Sequence, residues 1–122
     1  MVTTELLGQV KMVRGDTAKL GFTVKIGTRA ADLTNATIEL IVQGCSPRWS
    51  AYRFVKSTAD GSIVVTSPST GGKGVATVSP ADTLAFGNER VEAEWSVVVT
   101  DAFGEVSTTK GGDGSFVVER SP

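Results

Sequence analysis

Three stretches of the chain alternate between apolar and polar residues. They cover residues 18–26, 37–43 and 91–99. In 91–99 the odd-numbered residues are Val, Ala, Trp, Val and Val, whereas Glu, Glu and Ser occupy the first three even positions. A period of two directs one set of side chains into a core and the other into water. Each stretch is therefore predicted to be a half-buried β-strand.

Shorter apolar runs separated by turn residues predict six further strands, at 9–13, 51–56, 62–67, 75–79, 106–109 and 115–119. Asp60-Gly61 predicts a two-residue hairpin with positive φ at both turn residues. Residues 101–104, Asp-Ala-Phe-Gly, predict a type I turn. Nine short strands without a crossover helix indicate an all-β fold, an Ig-like antiparallel sandwich of two sheets.

One short helical turn is predicted near residues 80–86. Ser79 is suited to the N-cap and Pro80 to the first helical position. Leu84 and Phe86 are then expected to close one end of the core. We interpret residues 9–122 as a single domain, preceded by an N-terminal extension at residues 1–8.

The composition of the chain argues against several classes of function. The 122 residues carry a net charge of -1 and include no His, so we expect no nucleic-acid or membrane partner and no Ser-His catalysis. The single cysteine, Cys45, provides neither an intramolecular disulfide nor a cysteine zinc site. We expect no catalytic residues, no cofactor and no metal, and therefore no enzyme. A hydrolase would depend on two carboxylates facing one cleft, and the loop carboxylates available are Asp60, Asp101, Glu105 and Asp113.

Residues 45–54 concentrate the side chains that dominate binding hot spots. Arg48, Trp49, Tyr52 and Arg53 fall within six positions of a loop and the start of a strand. Trp, Tyr and Arg offer large contact area and multiple hydrogen-bond donors. These four residues are the candidate partner contact, although Trp49 could equally fold back onto the edge of a sheet.

Several segments resemble the N-terminal domain of the baseplate upper proteins of tailed bacteriophages. They are 13–17 (Val-Arg-Gly-Asp-Thr), 22–25 (Phe-Thr-Val-Lys), 31–38 (Ala-Asp-Leu-Thr-Asn-Ala-Thr-Ile), 74–83 and 95–118. Asn35 stands where that family usually has Gly, and Asn also tolerates positive φ. The resemblance spans roughly residues 9–119 and rests on turns and strand ends.

The resemblance implies a small structural component of a tailed-phage virion. The expected position is the tail, baseplate, neck or fibre attachment, or the head surface as a decoration. The expected partners are other virion proteins and further copies of the same chain, after synthesis in the cytoplasm of the bacterial host. The start of the chain lacks the features of a signal peptide, which agrees with that expectation. The alternative is a carbohydrate-binding or host-adhesion module in which Trp49 and Tyr52 stack on sugar rings.

Overall fold

A computed structural model of the chain describes residues 2–6, 10–84, 89–112 and 114–120, and these residues form two packed β-sheets. Sheet A consists of β1 (Val2–Leu6), β3 (Ala18–Ile26), β4 (Arg29–Ala30), β7 (Ile63–Val65) and β8 (Lys73–Val78). Sheet B consists of β2 (Val10–Val13), β5 (Thr37–Gly44), β6 (Arg53–Ser57), β9 (Val91–Thr100), β10 (Val106–Lys110) and β11 (Phe116–Glu119). The all-β sandwich predicted from the alternating residues is confirmed.

The core lies between the sheets and is built from the predicted inward-facing residues. Every second residue of β9 is buried, beginning with Val91, and β5 buries Ile38, Leu40 and Val42. The two strands pair over eight residues, from Thr37 opposite Thr100 to Gly44 opposite Ala93. Burial of these apolar faces is the main favourable term in folding. The central pair of sheet B therefore anchors the sandwich.

Sheet B is not wholly antiparallel, which corrects one part of the predicted fold. β2 runs parallel to β11, from Val10 opposite Phe116 to Val13 opposite Glu119. Parallel neighbours require a long connection, and here most of the chain lies between the two strands. Sequence alternation defines a strand but carries no information about the direction of its partner, so this pairing had no signal.

The N-terminal segment is also corrected. Residues 2–6 belong to sheet A as strand β1 and do not form an extension ahead of the domain. Thr4 is 3% exposed, and its backbone N–H donates to Thr109 Oγ1 on β10 of the other sheet. The polar character of Thr3, Thr4 and Glu5 hid the alternation. Residues 7–9 lie outside the described residues.

The predicted hairpin at Asp60-Gly61 is wrong. β6 pairs with β5 in sheet B, whereas β7 pairs with β8 in sheet A, so the segment between β6 and β7 connects the sheets. Gly61 has positive φ, but Asp60 does not. The Asp60 carboxylate instead accepts hydrogen bonds from the N–H and hydroxyl of Ser62. An Asp side chain that caps its own turn in this way gives the same dipeptide signal as a hairpin.

The helical turn predicted near 80–86 is present as α2 (Pro80–Leu84), within the described residues. The Asp82 carboxylate accepts from the Ser79 N–H, as in a capping box. Leu84 is 54% exposed, so it does not close the core, and Phe86 lies outside the described residues. Thr83 is fully buried instead, and its hydroxyl is satisfied there because it accepts from the Gly15 N–H.

The long strands define two ends of the molecule. The helix end contains α1 (Ser46–Trp49), α2 and the β2–β3 turn at Gly15. The hairpin end contains the β9–β10 turn at residues 101–105 and the segment 31–36 after β4. Since β9 has ten residues, the two ends are separated by about 30 Å. All candidate contact residues lie at one end or the other.

Candidate functional site

The candidate contact residues from the sequence lie at the helix end, on and after α1. This helix was not predicted; residues 51–56 were assigned to one strand, whereas β6 begins at Arg53. α1 packs directly on the end of β5. The approach is so close that a Cβ on Gly44 would lie only 2.0 Å from the Trp49 carbonyl oxygen. The Gly44 N–H donates to the Tyr52 carbonyl at 2.8 Å. Because Gly44 has no side chain, α1 can pack this closely against sheet B.

Trp49 is folded back rather than displayed. Its ring packs against the core, and its indole Nε1 donates to Glu89 Oε1 at 3.1 Å. Arg48 donates to Glu89 Oε2 at 2.8 Å, and its guanidinium lies 5.4 Å from the centre of the Trp49 ring. A cation at this distance from an indole is attracted by the ring face. The three side chains therefore form one surface cluster held together by Glu89.

Tyr52 and Arg53 differ in exposure. Tyr52 is half-buried and packs against the core, whereas Arg53 is exposed. Arg53 forms no ion pair with any described residue. Of the two charged candidate residues, Arg48 is thus paired with Glu89, whereas Arg53 has no ion pair among the described residues.

A half-open cavity of about 220 Å³ lies at the hairpin end, and the sequence gave no indication of it. Its apolar lining comes from both sheets: Val24, Ile26, Ala31, Leu33, Val99, Ala102 and Phe103. Asp32, Asp101 and Glu105 supply carboxylates to the same lining. The cavity forms because Ala31 and Leu33 are held across the end of the sandwich by backbone bonds to Val24 and Ser69.

Two residues that line this cavity are large exposed apolar side chains. Phe103 is 93% exposed and Ile26 is 42% exposed. Val106, which is 63% exposed, alternates with the cavity-lining Ser107 on β10 and therefore faces away from the cavity. Large apolar side chains grouped on a surface mark interaction sites more often than isolated ones do. The available sequence signal was the Phe in the 101–104 turn, where a polar residue would serve the turn equally well.

The β9–β10 turn holds Phe103 in place. Gly104 N–H donates to the Asp101 carbonyl, as the predicted turn requires. Asp101 Oδ1 also accepts from the N–H groups of Phe103 and Glu105, each at 2.9 Å. This carboxylate is thus committed to the geometry of the turn, which displays the ring of Phe103 to solvent.

The carboxylates considered for a hydrolase are only partly brought together. Asp101 and Glu105 line the same cavity as Asp32. Asp60 lies in the connection between β6 and β7, and Asp113 is outside the described residues. Hydrogen bonds from the hydroxyl and N–H of Thr34 lower the pKa of Asp32. A general acid needs a raised pKa, so Asp32 is shifted in the opposite direction and remains ionised at neutral pH.

The chain matches no family model and no curated protein. Its helices, as far as the described residues extend, include none long and apolar enough to cross a membrane. Within the described ranges, no group of three or more His, Cys, Asp or Glu residues is arranged to hold a metal ion. Cys45 is half-buried and forms no disulfide.

Proposed function

We propose that this chain is a structural component of a tailed-phage virion and works by protein–protein assembly. The position is the tail, baseplate, neck or fibre attachment, or the head as a decoration. Support comes from the sequence resemblance described above and from the sandwich fold, which is the fold that resemblance implies. A rigid sandwich suits this role because it presents loops at two fixed ends.

The observation that carries the proposal is the surface at the hairpin end. Phe103 and Ile26 are exposed in the lining of a largely apolar cavity, and in water such a surface costs free energy that burial against a partner would recover. The acidic side chains around it favour a partner surface that is both apolar and basic.

The carbohydrate-binding or host-adhesion alternative has weaker support. Sugar stacking requires an accessible aromatic face. Arg48 lies over the Trp49 ring, and Tyr52 is half-buried. The Trp49 ring thus lies between Arg48 and the core, and Tyr52 is only partly accessible for stacking.

Particle association tests the proposal. Particles from a host carrying this reading frame are purified on a density gradient, and each fraction is analysed by mass spectrometry. We expect peptides of this chain to band with intact particles, and a strain encoding Phe103→Asp to give particles that have lost the chain, whereas Val64→Asp particles retain it. Val64 is the control because it is an apolar residue, 61% exposed on β7 of sheet A, that does not line the cavity. Absence of the wild-type chain from particles would contradict the proposal.

A further inference from the structure

The cavity at the hairpin end combines apolar walls with a charged mouth. Its walls include four buried apolar residues, Val24, Ala31, Leu33 and Val99. Its charged lining residues are Asp32, Asp101 and Glu105, and the described part of the chain contributes no Lys or Arg to the lining. Asp32 and Glu105 are exposed and Asp101 is half-buried, so the carboxylates lie toward solvent. Apolar walls with a few polar groups that fix orientation are typical of a small-ligand site.

The three carboxylates keep capacity to bind a cation. Asp32 Oδ1 accepts from the N–H and hydroxyl of Thr34, and Asp101 Oδ1 accepts from two N–H groups of its own turn. The second oxygen of each remains able to accept, as do both carboxylate oxygens of Glu105. None of the three residues forms an ion pair with a described residue. The bonds from Thr34 also lower the pKa of Asp32, so its charge is retained at neutral pH.

Arg29 is a cation that lies beside this cavity. It is exposed on β4, opposite Ile26 in the β3–β4 pair, and forms no ion pair with a described residue. Residues directly opposite each other in an antiparallel pair lie on the same face of the sheet, but Arg29 does not belong to the cavity lining. One guanidinium group therefore opposes three carboxylates, and it weakens the negative potential at the mouth without reversing its sign.

The size of the cavity limits the ligand to a small molecule. Apolar cavities of about 150 Å³ accept benzene, and this cavity measures about 220 Å³. It therefore has room for a six-membered ring and a short substituent. Phe103 adds an aromatic ring to the lining, and a cation within about 6 Å of such a ring is attracted to its face.

We propose that this cavity binds a small organic monocation, an ammonium group carried on an apolar body of about six to eight heavy atoms. The body lies against the apolar walls, and the ammonium group lies at the mouth, where it donates to Asp32 and Glu105. Burial of the body supplies most of the affinity, and the carboxylates select the charge. An anion of the same shape is repelled. The inference goes beyond the proposed assembly role and does not depend on it.

Three ligands of one shape and different charge test the site. The purified ¹⁵N-labelled chain is titrated at pH 7 with benzylamine, benzyl alcohol or benzoate, each to about 10 mM, and amide shifts are followed by NMR. We expect benzylamine to give saturable shifts in residues 31–34 and 101–107, with a dissociation constant of about 1 mM or lower. Benzyl alcohol is expected to shift the same amides about fivefold more weakly, the effect of one partly exposed charge pair. Benzoate is expected to shift none of them.

A charge-removing variant separates the carboxylates from the apolar walls. Asp32→Asn/Glu105→Gln retains the side-chain shapes and an acceptor oxygen for Thr34. It is expected to weaken benzylamine about fivefold, to the affinity of benzyl alcohol, and to leave benzyl alcohol unchanged. Glu39→Gln/Glu94→Gln is the matched control, because it removes the same net charge at two residues that neither line the cavity nor pair with a described cation. It is expected to leave both affinities unchanged.

Arg29 provides a test in the opposite direction. Arg29→Gln removes the cation beside the cavity and is expected to tighten benzylamine binding about twofold, with benzyl alcohol unchanged, because a screened charge outside the lining has only a modest effect. Weaker benzylamine binding in this variant would contradict a negative mouth.

The outcomes also separate this inference from the proposed function. No saturable shift with benzylamine, equal shifts with all three ligands, or shifts centred outside the cavity would each overturn the ligand site. Equal losses in the cavity variant and its charge-matched control would overturn the role of Asp32 and Glu105. All of these results are obtained on the purified chain, so they leave the particle association of the chain as it is measured. Absence from particles would contradict the proposed function and leave the ligand site intact.

Discussion

Lys56 and Asp82 show how a charged residue is accommodated on an inward-facing strand position. Lys56 lies on β6 directly opposite Leu40, so its side chain begins on the core side of sheet B. Its ammonium group reaches Asp82 on α2, and the two side chains are only 11% and 16% exposed. Asp82 also accepts from the N–H and hydroxyl of Ser79. The pair therefore ties α2 to sheet B through partners that satisfy both charges.

These contacts give Asp82 a distinct titration. Burial by itself would raise the pKa of Asp82, but the hydrogen bond from Lys56 and those from Ser79 together outweigh burial and lower the pKa. A carboxyl group whose pKa is lower in the folded state stabilises the fold above its unfolded pKa. That contribution is lost as pH falls through the folded pKa. Its stability is therefore present at neutral pH and disappears in acid below about pH 4.

Asp82→Asn is expected to lower the free energy of unfolding at pH 7 by about 2 kcal/mol, because the enclosed Lys56 loses its charged partner. The difference from wild type is expected to shrink between pH 4 and pH 2. Urea unfolding at a series of pH values measures both effects. Asp16→Asn, at an exposed position, serves as the control. A difference that stays constant across this pH range would contradict the assignment.

At the scale of elements, the β9–β10 turn depends on one side chain. Asp101 Oδ1 accepts two backbone N–H bonds, and Gly104 adopts φ 85° in the same turn. Asx-type bonds of this kind substitute for backbone pairing where the chain reverses. This turn exposes Phe103 at the hairpin end.

Asp101→Ala is expected to destabilise the chain by about 1 kcal/mol, because two N–H groups lose their acceptor but remain close to solvent. For a domain of this size the melting temperature then falls by about 4 °C. Asp101→Asn keeps an acceptor oxygen at the same place and is expected to lie close to wild type. Calorimetry distinguishes the two variants, and equal melting temperatures for them would show that the hydrogen bonds contribute nothing.

The elements also show what the sequence could predict. β3, β5 and β9 were predictable because each has one face in the core and one face toward solvent. Apolar and polar residues therefore alternate along these strands. β1 was not predictable, because its buried residue Thr4 is polar and so breaks the alternation. The Thr4 N–H is satisfied by Thr109 Oγ1, a partner that only the folded structure brings close. α1 was missed because it is a single turn whose position depends on tertiary contact with Gly44. Pairing direction and sheet membership, as for β2 and β7, are properties of the whole fold.

At the scale of the whole molecule, the two sheets place different chemistry at opposite ends. Two of the four residues predicted as a partner contact, Arg48 and Arg53, lie at the helix end, on α1 and at the start of β6, and their role as a contact stays a prediction. The cavity at the hairpin end could not be predicted, since its lining comes from residues as distant in sequence as Val24 and Glu105. A contact surface that depends on sequence-distant residues becomes visible only once the sheets are assembled.

The proposed assembly role depends above all on Phe103 being covered in the particle. Carbene footprinting with mass spectrometry compares labelling of Phe103 in the purified chain and in intact particles. The 93% exposed ring is expected to label strongly in the purified chain and to be protected in particles, while Val64 labels equally in both. Undiminished labelling of Phe103 in particles that contain the chain would contradict the assignment of the hairpin end as its contact surface.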